Sequence, residues 1–367
     1  MKERDEEKLN DENVSEEINT DVKEVSFADL DGEKPLDKNV RLLSPGRMVA
    51  RRFFRSKLSI VGLVLVIGLL IFSWFGPVVY QRWGETEVDY TPKITYSYTE
   101  ITIGEGDDAY TIIQVIERKE DVNKLAPISG DHLLGTNYTG IDVFTQLMYG
   151  GRISLTISFL SVFLTTIIGI IFGGLAGYFG GKVDSVIMRI CDILMCLPGV
   201  PILLIVGTLY NGLSETMGLP VFYRIYFLMA FLTLISWPGI ARLVRGQILS
   251  LREQEYMVAA EAMGYSTSRK IFKHLLPNVL PQLIVAMTLS LGSTILYEAT
   301  LSYLNLGVPA PNAAWGTMIN IISESPEVLQ YYFNVWGPPG ICIILAVLGF
   351  NFLGDGLRDA LDPKMRR

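Results

Sequence analysis

The sequence predicts an all-α polytopic membrane protein: six transmembrane helices, with a small β-rich extracellular insertion between the first and second. Three observations carry this expectation. Half of the 367 residues are hydrophobic and 19% are charged, whereas a soluble domain carries about 25% charge. Six long apolar runs contain no charged residue. Lys and Arg gather on alternate sides of those runs, as they do at the cytoplasmic face of membrane proteins.

Residues 1–40 hold 14 acidic and 6 basic residues, a balance of −8 within a chain whose formal net charge is −7. Such a polar, aromatic-poor stretch buries too little apolar surface to fold alone, and it reads as a disordered acidic cytoplasmic tail. Residues 41–80 join a basic juxtamembrane segment (Arg41, Arg47, Arg51, Arg52, Arg55, Lys57) to the first uncharged run, Leu58–Tyr80. The remaining runs are Ile153–Phe179, Ile193–Leu213, Ile225–Ala241, Val279–Tyr297 and Val335–Gly354. A spanning helix needs roughly 17–25 mostly apolar residues, and in lipid the backbone must satisfy itself within the helix. Pro198 and Pro201 in the third run, and Trp237-Pro238-Gly239 in the fourth, predict kinks.

Residues 81–150 carry 12 acids against 5 bases, and residues 306–334 carry Glu324 and Glu327 and no base. Bases cluster instead after the second run (Lys182, Arg189), after the fourth (Arg242, Arg245, Arg252, Arg269, Lys270, Lys273) and after the sixth (Arg358, Lys364, Arg366, Arg367). Six spans with both termini cytoplasmic satisfy every loop. The 81–150 segment is then external, and its stretches Ile94–Ile103 and Tyr110–Ile116, separated by Gly-Glu-Gly-Asp-Asp, predict a β-hairpin. Residues 151–357 form a five-helix core with a cytoplasmic loop at 246–277, and 358–367 the cytoplasmic end.

Chemistry is sparse. Cys191, Cys196 and Cys342 make no C-x-x-C pair, and His132 and His274 lack metal-ligand spacing. There is no G-x-x-x-x-G-K-[ST] and no H-E-x-x-H, which argues against a chain with its own ATPase and against a metalloprotease. Nucleic acid is not an expected partner.

The loop after the fourth run carries the strongest pattern. Helix formers run from Glu255 through Tyr256, Ala259, Ala260, Glu261 and Met263 to Gly264, a plausible helix stop. Ala259, Ala260 and Met263 are spaced to share a face. Ser266 or Thr267 is placed to cap a second short helix ending before Leu276-Pro277. The spacing fits two arrangements, a compact docking knob or an amphipathic loop lying on the membrane.

Val258-Ala259-Ala260-x3-Gly264-x9-His274-x-Leu276-Pro277 resembles the E-A-A-x3-G-x9-I-x-L-P signature of permease subunits of ABC importers, in the variant of the oligopeptide/dipeptide (nickel) permease branch. Further likenesses lie at His132–Leu155, at Ser302–Pro309 with Trp315-Gly316, and at Asn351–Pro363. Glu261 and Lys273 depart from the branch, each where it has Arg. The resemblance implies a non-catalytic permease in a bacterial cytoplasmic membrane that moves peptides by alternating access. It also implies a second homologous permease subunit, two ABC ATPases that bind the knob and hold ATP and Mg, and an external substrate-binding protein. No cofactor would be bound by this chain. Nickel chelates and glutathione are the family's other cargoes, and a passive channel or scaffold is the alternative outside it.

Other candidate residues lie in the runs. Gly169, Gly173 and Gly177 recur every fourth residue, a stripe that permits close helix packing. Asp192 and Glu298 are ionisable residues at or within apolar spans, where charge is costly and faces a bundle interior or water. Asp192 is expected to pair with Arg189 one turn earlier; Glu298 is expected to line the pore or bond to a neighbouring helix.

Overall fold

A computed structural model describes residues 45–91, 93–103, 110–120, 122–220, 223–309 and 311–362. The expected acidic tail and the final basic residues 364–367 lie outside the described residues. The chain divides into two compact units, 1–48 and 49–367. Of the first, only residues 45–48 are described, as the start of helix α1 (Pro45–Phe53).

Helix α2 (Lys57–Val79) leads to an antiparallel two-stranded ribbon, β1 (Lys93–Ile103) and β2 (Tyr110–Glu120), paired from Lys93 with Glu120 to Ile103 with Tyr110. Helices α3 (Val143–Phe179), α4 (Gly181–Cys196), α5 (Gly199–Met217), α6 (Arg224–Arg252) and α7 (Glu255–Ala262) follow. A helical turn at Thr267–Arg269 and a π-helical segment, Lys270–Leu275, run into α8 (Leu276–Tyr303). Helices α9 (Trp315–Glu324), α10 (Pro326–Tyr331) and α11 (Phe333–Leu361) complete the described chain. Among the described residues, six helical stretches are long and apolar enough to cross a membrane: α2, α3, α5, α6, Thr267–Tyr303 and α11. Each contains or overlaps one of the six uncharged runs.

The boundaries differ from the sequence expectation in four places. The expected third span, Ile193–Leu213 kinked at two prolines, is two helices. Leu197, extended at ψ 130° as a residue before proline prefers, separates α4 from α5. Pro198 is the N-cap of α5 and Pro201 lies in its first turn, where a missing amide costs nothing. Helix α3 starts ten residues before the uncharged run, because Asp142 caps it by accepting from the Thr145 amide at 2.8 Å. Helix α6 continues through Pro238 and runs past Ala241 to Arg252. The expected second short helix before Pro277 is instead continuous with α8: the wider π turn ends where Pro277 supplies no amide donor.

Glycines set the closest helix contacts. A Cβ on Gly169 would sit 2.6 Å from Ile240 of α6, and one on Gly177 2.9 Å from the Arg245 carbonyl oxygen. At Gly173 it would collide with the Ala241 carbonyl oxygen. The α3–α6 seam therefore exists only because this stripe lacks side chains. Gly62 of α2 meets the backbone of Gly349 and Leu353 on α11 in the same way. The main core gathers Leu155, Ile295, Trp315, Val335 and Phe350, and a second cluster gathers Ile248, Met257, Leu275, Val279 and Leu283 beneath the α6–α8 loop.

Candidate functional site: a knob at the end of helix six

Helix α7 ends in a left-handed residue, Gly264, at φ 69°. The Gly264 amide donates to the Glu261 carbonyl at 2.9 Å, and the Tyr265 amide donates to the Ala260 carbonyl at 3.1 Å. These are the two bonds of a Schellman cap, which satisfies carbonyls that a helix end otherwise leaves open. An added Cβ at Gly264 would meet nothing within 4 Å, so the residue is required by its backbone angle and not by space.

The faces of α7 correct one expectation. Ala260 and Met257 are buried, Met257 in the cluster with Ile248, Leu275 and Val279. Ala259 and Met263 point outward with Tyr256. Adjacent residues on a helix stand about 100° apart, so Ala259 and Ala260 cannot share a face. The outward stripe is Tyr256, Ala259 and Met263, at i, i+3 and i+7. Ser266 is exposed and is the N-cap of the next turn, with no side-chain cap bond; Leu276 is half-buried and Pro277 exposed.

The limb after the turn is pinned by side chains. Tyr265 stacks on His274 with ring centroids 5.8 Å apart, and the Arg269 guanidinium lies 4.2 Å from the Tyr265 ring centre. Lys270, buried, reaches Glu261 at 3.7 Å and sits over the Tyr178 ring at the end of α3. Asn278 donates to the His274 carbonyl at 2.8 Å.

The knob stands on α6, whose last turns are tied to α3 and α4. Arg245 grips Asp184 of α4 through Nε and through Nη2, the latter at 2.5 Å. Arg252 donates to the Tyr178 carbonyl at 2.9 Å. Asp192 pairs with Arg242 of α6 and not with Arg189, because α4 packs on α6 and brings that guanidinium across. Both partners of the Asp192 pair are substantially exposed, and exposed pairs contribute at most about 1 kcal/mol. Trp237 is a core residue, tilted against Phe172 at 4.9 Å and packed with Ile187 and Cys191.

Glu298 lies far from the knob, within α8, and is 2% exposed. Its Oε1 accepts from Ser302 at 2.7 Å, and Ser154 of α3 faces the same carboxyl. Ser154 in turn accepts from the Trp315 amide, and the Trp315 indole donates to the Leu147 carbonyl at 3.0 Å. Glu298 thus belongs to a polar seam between α8, α3 and α9.

Sequence reasoning missed a network at the opposite end, beside the ribbon. The His132 ring bonds Asp142 at 3.0 Å and Asp89 at 3.2 Å while Trp83 stacks on it at 4.6 Å. Burial pushes the Asp89 carboxyl up, but bonds from Thr91, Asn123 and His132 outweigh it and hold the group at about 2. His132 and Asp142 stand 10 apart within the His132–Leu155 stretch singled out above, but Asp89 lies 43 residues from His132, and nothing in that stretch announces the three-way contact. Among the described residues no three His, Cys, Asp or Glu side chains form a group that could hold a metal ion.

Comparison with known proteins places these features in context. Residues 169–367 match the family model described as the binding-protein-dependent transport system inner membrane component, and residues 44–97 match the N-terminal TM domain of oligopeptide transport permease C. The oligopeptide transport system permease protein OppC of Bacillus subtilis (strain 168) is 35% identical over 339 residues, 92% of this chain and 94% of that protein. The dipeptide transport system permease protein DppC of the same organism is 36% identical over 86% of this chain and 85% of that protein. A solved inward-facing MetNI methionine ABC transporter aligns over 59% of this chain and 96% of its own, at 22% identity and a TM-score of 0.47.

Proposed function

The chain belongs to the binding-protein-dependent transport system inner membrane component family, and we propose that it is the permease subunit of a peptide importer in a bacterial cytoplasmic membrane. It is a multi-pass membrane permease. Peptides are the proposed cargo because the relatives that match nearly the whole chain are named oligopeptide and dipeptide permeases. In this reading a second homologous permease completes the pore, two ATPases supply ATP hydrolysis with their own Mg, and an external binding protein delivers the cargo. The chain itself carries out no bond chemistry. Both termini and the knob face the cytoplasm, and the β1–β2 ribbon faces outside.

The observation that supports this reading best is the knob. Its Schellman-capped helix presents Tyr256, Ala259 and Met263 outward and anchors Met257 and Ala260 inward. An ATPase cleft that grips the outward stripe and moves would carry the cluster of Ile248, Leu275 and Val279 with it. Helices α6 and α8 both root in that cluster. Helix α6 transmits the motion to α3 through the glycine seam and to α4 through Arg245–Asp184. Protein interiors are too densely packed to absorb such a displacement locally, so it reaches the spans.

Co-purification of the ATPase pair with the membrane-embedded permease tests this. Ala259→Glu, on the outward stripe, is expected to abolish retention while leaving the permease folded. ATPases that stay bound to this variant would overturn the knob's role, and vesicles that take up no peptide would overturn the cargo.

A further inference from the structure

Helix α2 has one packed face and one open face. Ser59, Gly62, Val66, Leu69 and Ser73 are buried. Val61, Val64, Ile71 and Phe75 are exposed, and their spacing puts them in one stripe on the opposite side of the helix. In a membrane-spanning helix such a stripe faces hydrocarbon. Lys57 heads the same stripe, four residues before Val61, and is exposed. The helix has 23 residues, about 34 Å at 1.5 Å per residue, against a hydrocarbon layer of roughly 30 Å. Its first residue therefore stands where the headgroups begin.

Residues 51–57 read Arg-Arg-Phe-Phe-Arg-Ser-Lys, four bases and no acid. The backbone of this elbow between α1 and α2 is fixed. The amides of Phe54, Arg55 and Ser56 donate to the carbonyls of Ala50, Arg52 and Phe53 at 3.0, 3.1 and 3.2 Å. Ser56 caps α2 by accepting from the Ser59 amide at 3.4 Å. Two side chains turn inward: Phe53 is buried, and Arg52, half-buried, donates to the Asp362 carbonyl at 3.2 Å, at the end of α11. Arg51, Arg55 and Lys57 are exposed, and none has a carboxylate partner among the described residues. Phe54, 59% exposed, and Leu58 alternate with them along the chain.

This mixture selects its partner. A soluble acidic ligand would satisfy the bases and leave Phe54 and Leu58 in water. A zwitterionic lipid would cover Phe54 and Leu58 but brings a cation with each phosphate. An anionic lipid supplies both an unbalanced phosphate and an acyl chain, which is what basic, apolar-studded segments beside a spanning helix recognise.

We propose that the elbow is a docking surface for anionic phospholipids, with headgroup phosphates on Arg51, Arg55 and Lys57 and acyl chains against Phe54, Leu58 and the open stripe of α2. The inference uses only the membrane embedding of α2, so it stands or falls independently of the cargo.

The test uses the assembled importer, permease pair with ATPases, in nanodiscs of equal parts phosphatidylglycerol and phosphatidylcholine. A photoactivatable analogue of one lipid or the other is doped in, and cross-links to residues 51–58 are quantified by mass spectrometry. A base near an anionic surface contributes about a fivefold preference, so two of the three suffice for more than tenfold. Wild type is expected to label at least tenfold more with phosphatidylglycerol. The preference should shrink between about 0.1 M and 1 M salt, as the screening length falls from about 10 Å to 3 Å. Joint replacement Arg51→Gln, Arg55→Gln and Lys57→Gln should abolish it, and Lys182→Gln with Arg189→Gln should leave it intact. Equal labelling by the two lipids in wild type overturns the proposal without recourse to any variant. A preference that inorganic phosphate removes at constant ionic strength assigns the bases to a soluble anion and overturns it too, as does one that emerges only after deletion of residues 2–40, which assigns them to that acidic segment.

Discussion

Replacing Gly264 separates backbone conformation from side-chain space. The residue sits at φ 69° with nothing within 4 Å of a would-be Cβ, so a larger side chain meets no clash. The left-handed backbone costs an ordinary L-residue about 1–2 kcal/mol, and Asn much less because its side chain bonds locally. With 1.4 kcal/mol per tenfold, Gly264→Val should depopulate the capped knob roughly 5–30-fold, and Gly264→Asn by only about twofold. The bonds at risk are Gly264 N–H to Glu261 and Tyr265 N–H to Ala260. Hydrogen exchange at the Tyr265 amide reads the cap directly, and titration of the ATPase onto nanodisc-embedded permease reads docking. Exchange and affinity should change together, strongly for Val and little for Asn. Equal effects of the two substitutions would show that side-chain bulk in the ATPase interface matters and not the turn, and no effect of Val would remove the cap from the coupling argument.

Three further expectations follow from the geometry. Gly173→Val drives a branched side chain into the Ala241 backbone, so the α3–α6 seam must open at a cost of about 1–3 kcal/mol, visible as a lower thermal midpoint in detergent and absent for Gly246→Ala, where nothing lies within 4 Å. Asp184→Asn and Arg245→Gln should each destabilise, with a double-mutant coupling of about 1–3 kcal/mol for a two-armed, partly buried pair; additive effects would mean that the pair does not couple α4 to α6. Asp89 is held at about 2 against an ordinary value of 3.8; a depressed carboxylate stabilises above its unfolded pKa, so about 2 kcal/mol is present at neutral pH and is lost as pH falls from 3.8 to about 2. Asp89→Asn should remove that increment at pH 7 and flatten the acid limb of an unfolding titration, and an unchanged limb would show that the His132 network does not depend on this charge.

Local patterns settled what local physics controls. Uncharged runs long enough for lipid marked all six membrane-capable helices, since burial in hydrocarbon leaves no other state for such segments. The Tyr-, Thr- and Ile-rich stretches Ile94–Ile103 and Tyr110–Ile116, on either side of Gly-Glu-Gly-Asp-Asp, marked the hairpin. Gly264 was legible as a helix stop because glycine alone adopts a left-handed angle without strain. The i, i+4 glycines pointed to a close helix contact, although the partner, Ile240 through Ile248 of α6, was not written in that stripe.

Tertiary packing decided the rest. Which of Ala259 and Ala260 faces inward depends on where Leu275 and Val279 sit, a relation set by the π turn and the return of α8. Asp192 had a candidate partner three residues away and found another 50 residues along, because interhelical packing, and not spacing within one helix, sets guanidinium reach. The same holds for Arg224 and Asn320, unremarkable in sequence and 96 residues apart, which both line one cavity. The sequence by itself determined the six membrane-capable runs, the hairpin and the helix stop at Gly264, since each follows from hydrophobicity or backbone preference over a few neighbouring residues. Only the tertiary structure decided which buried charges are paired and which are open, because pairing depends on distances between segments that sequence order does not encode.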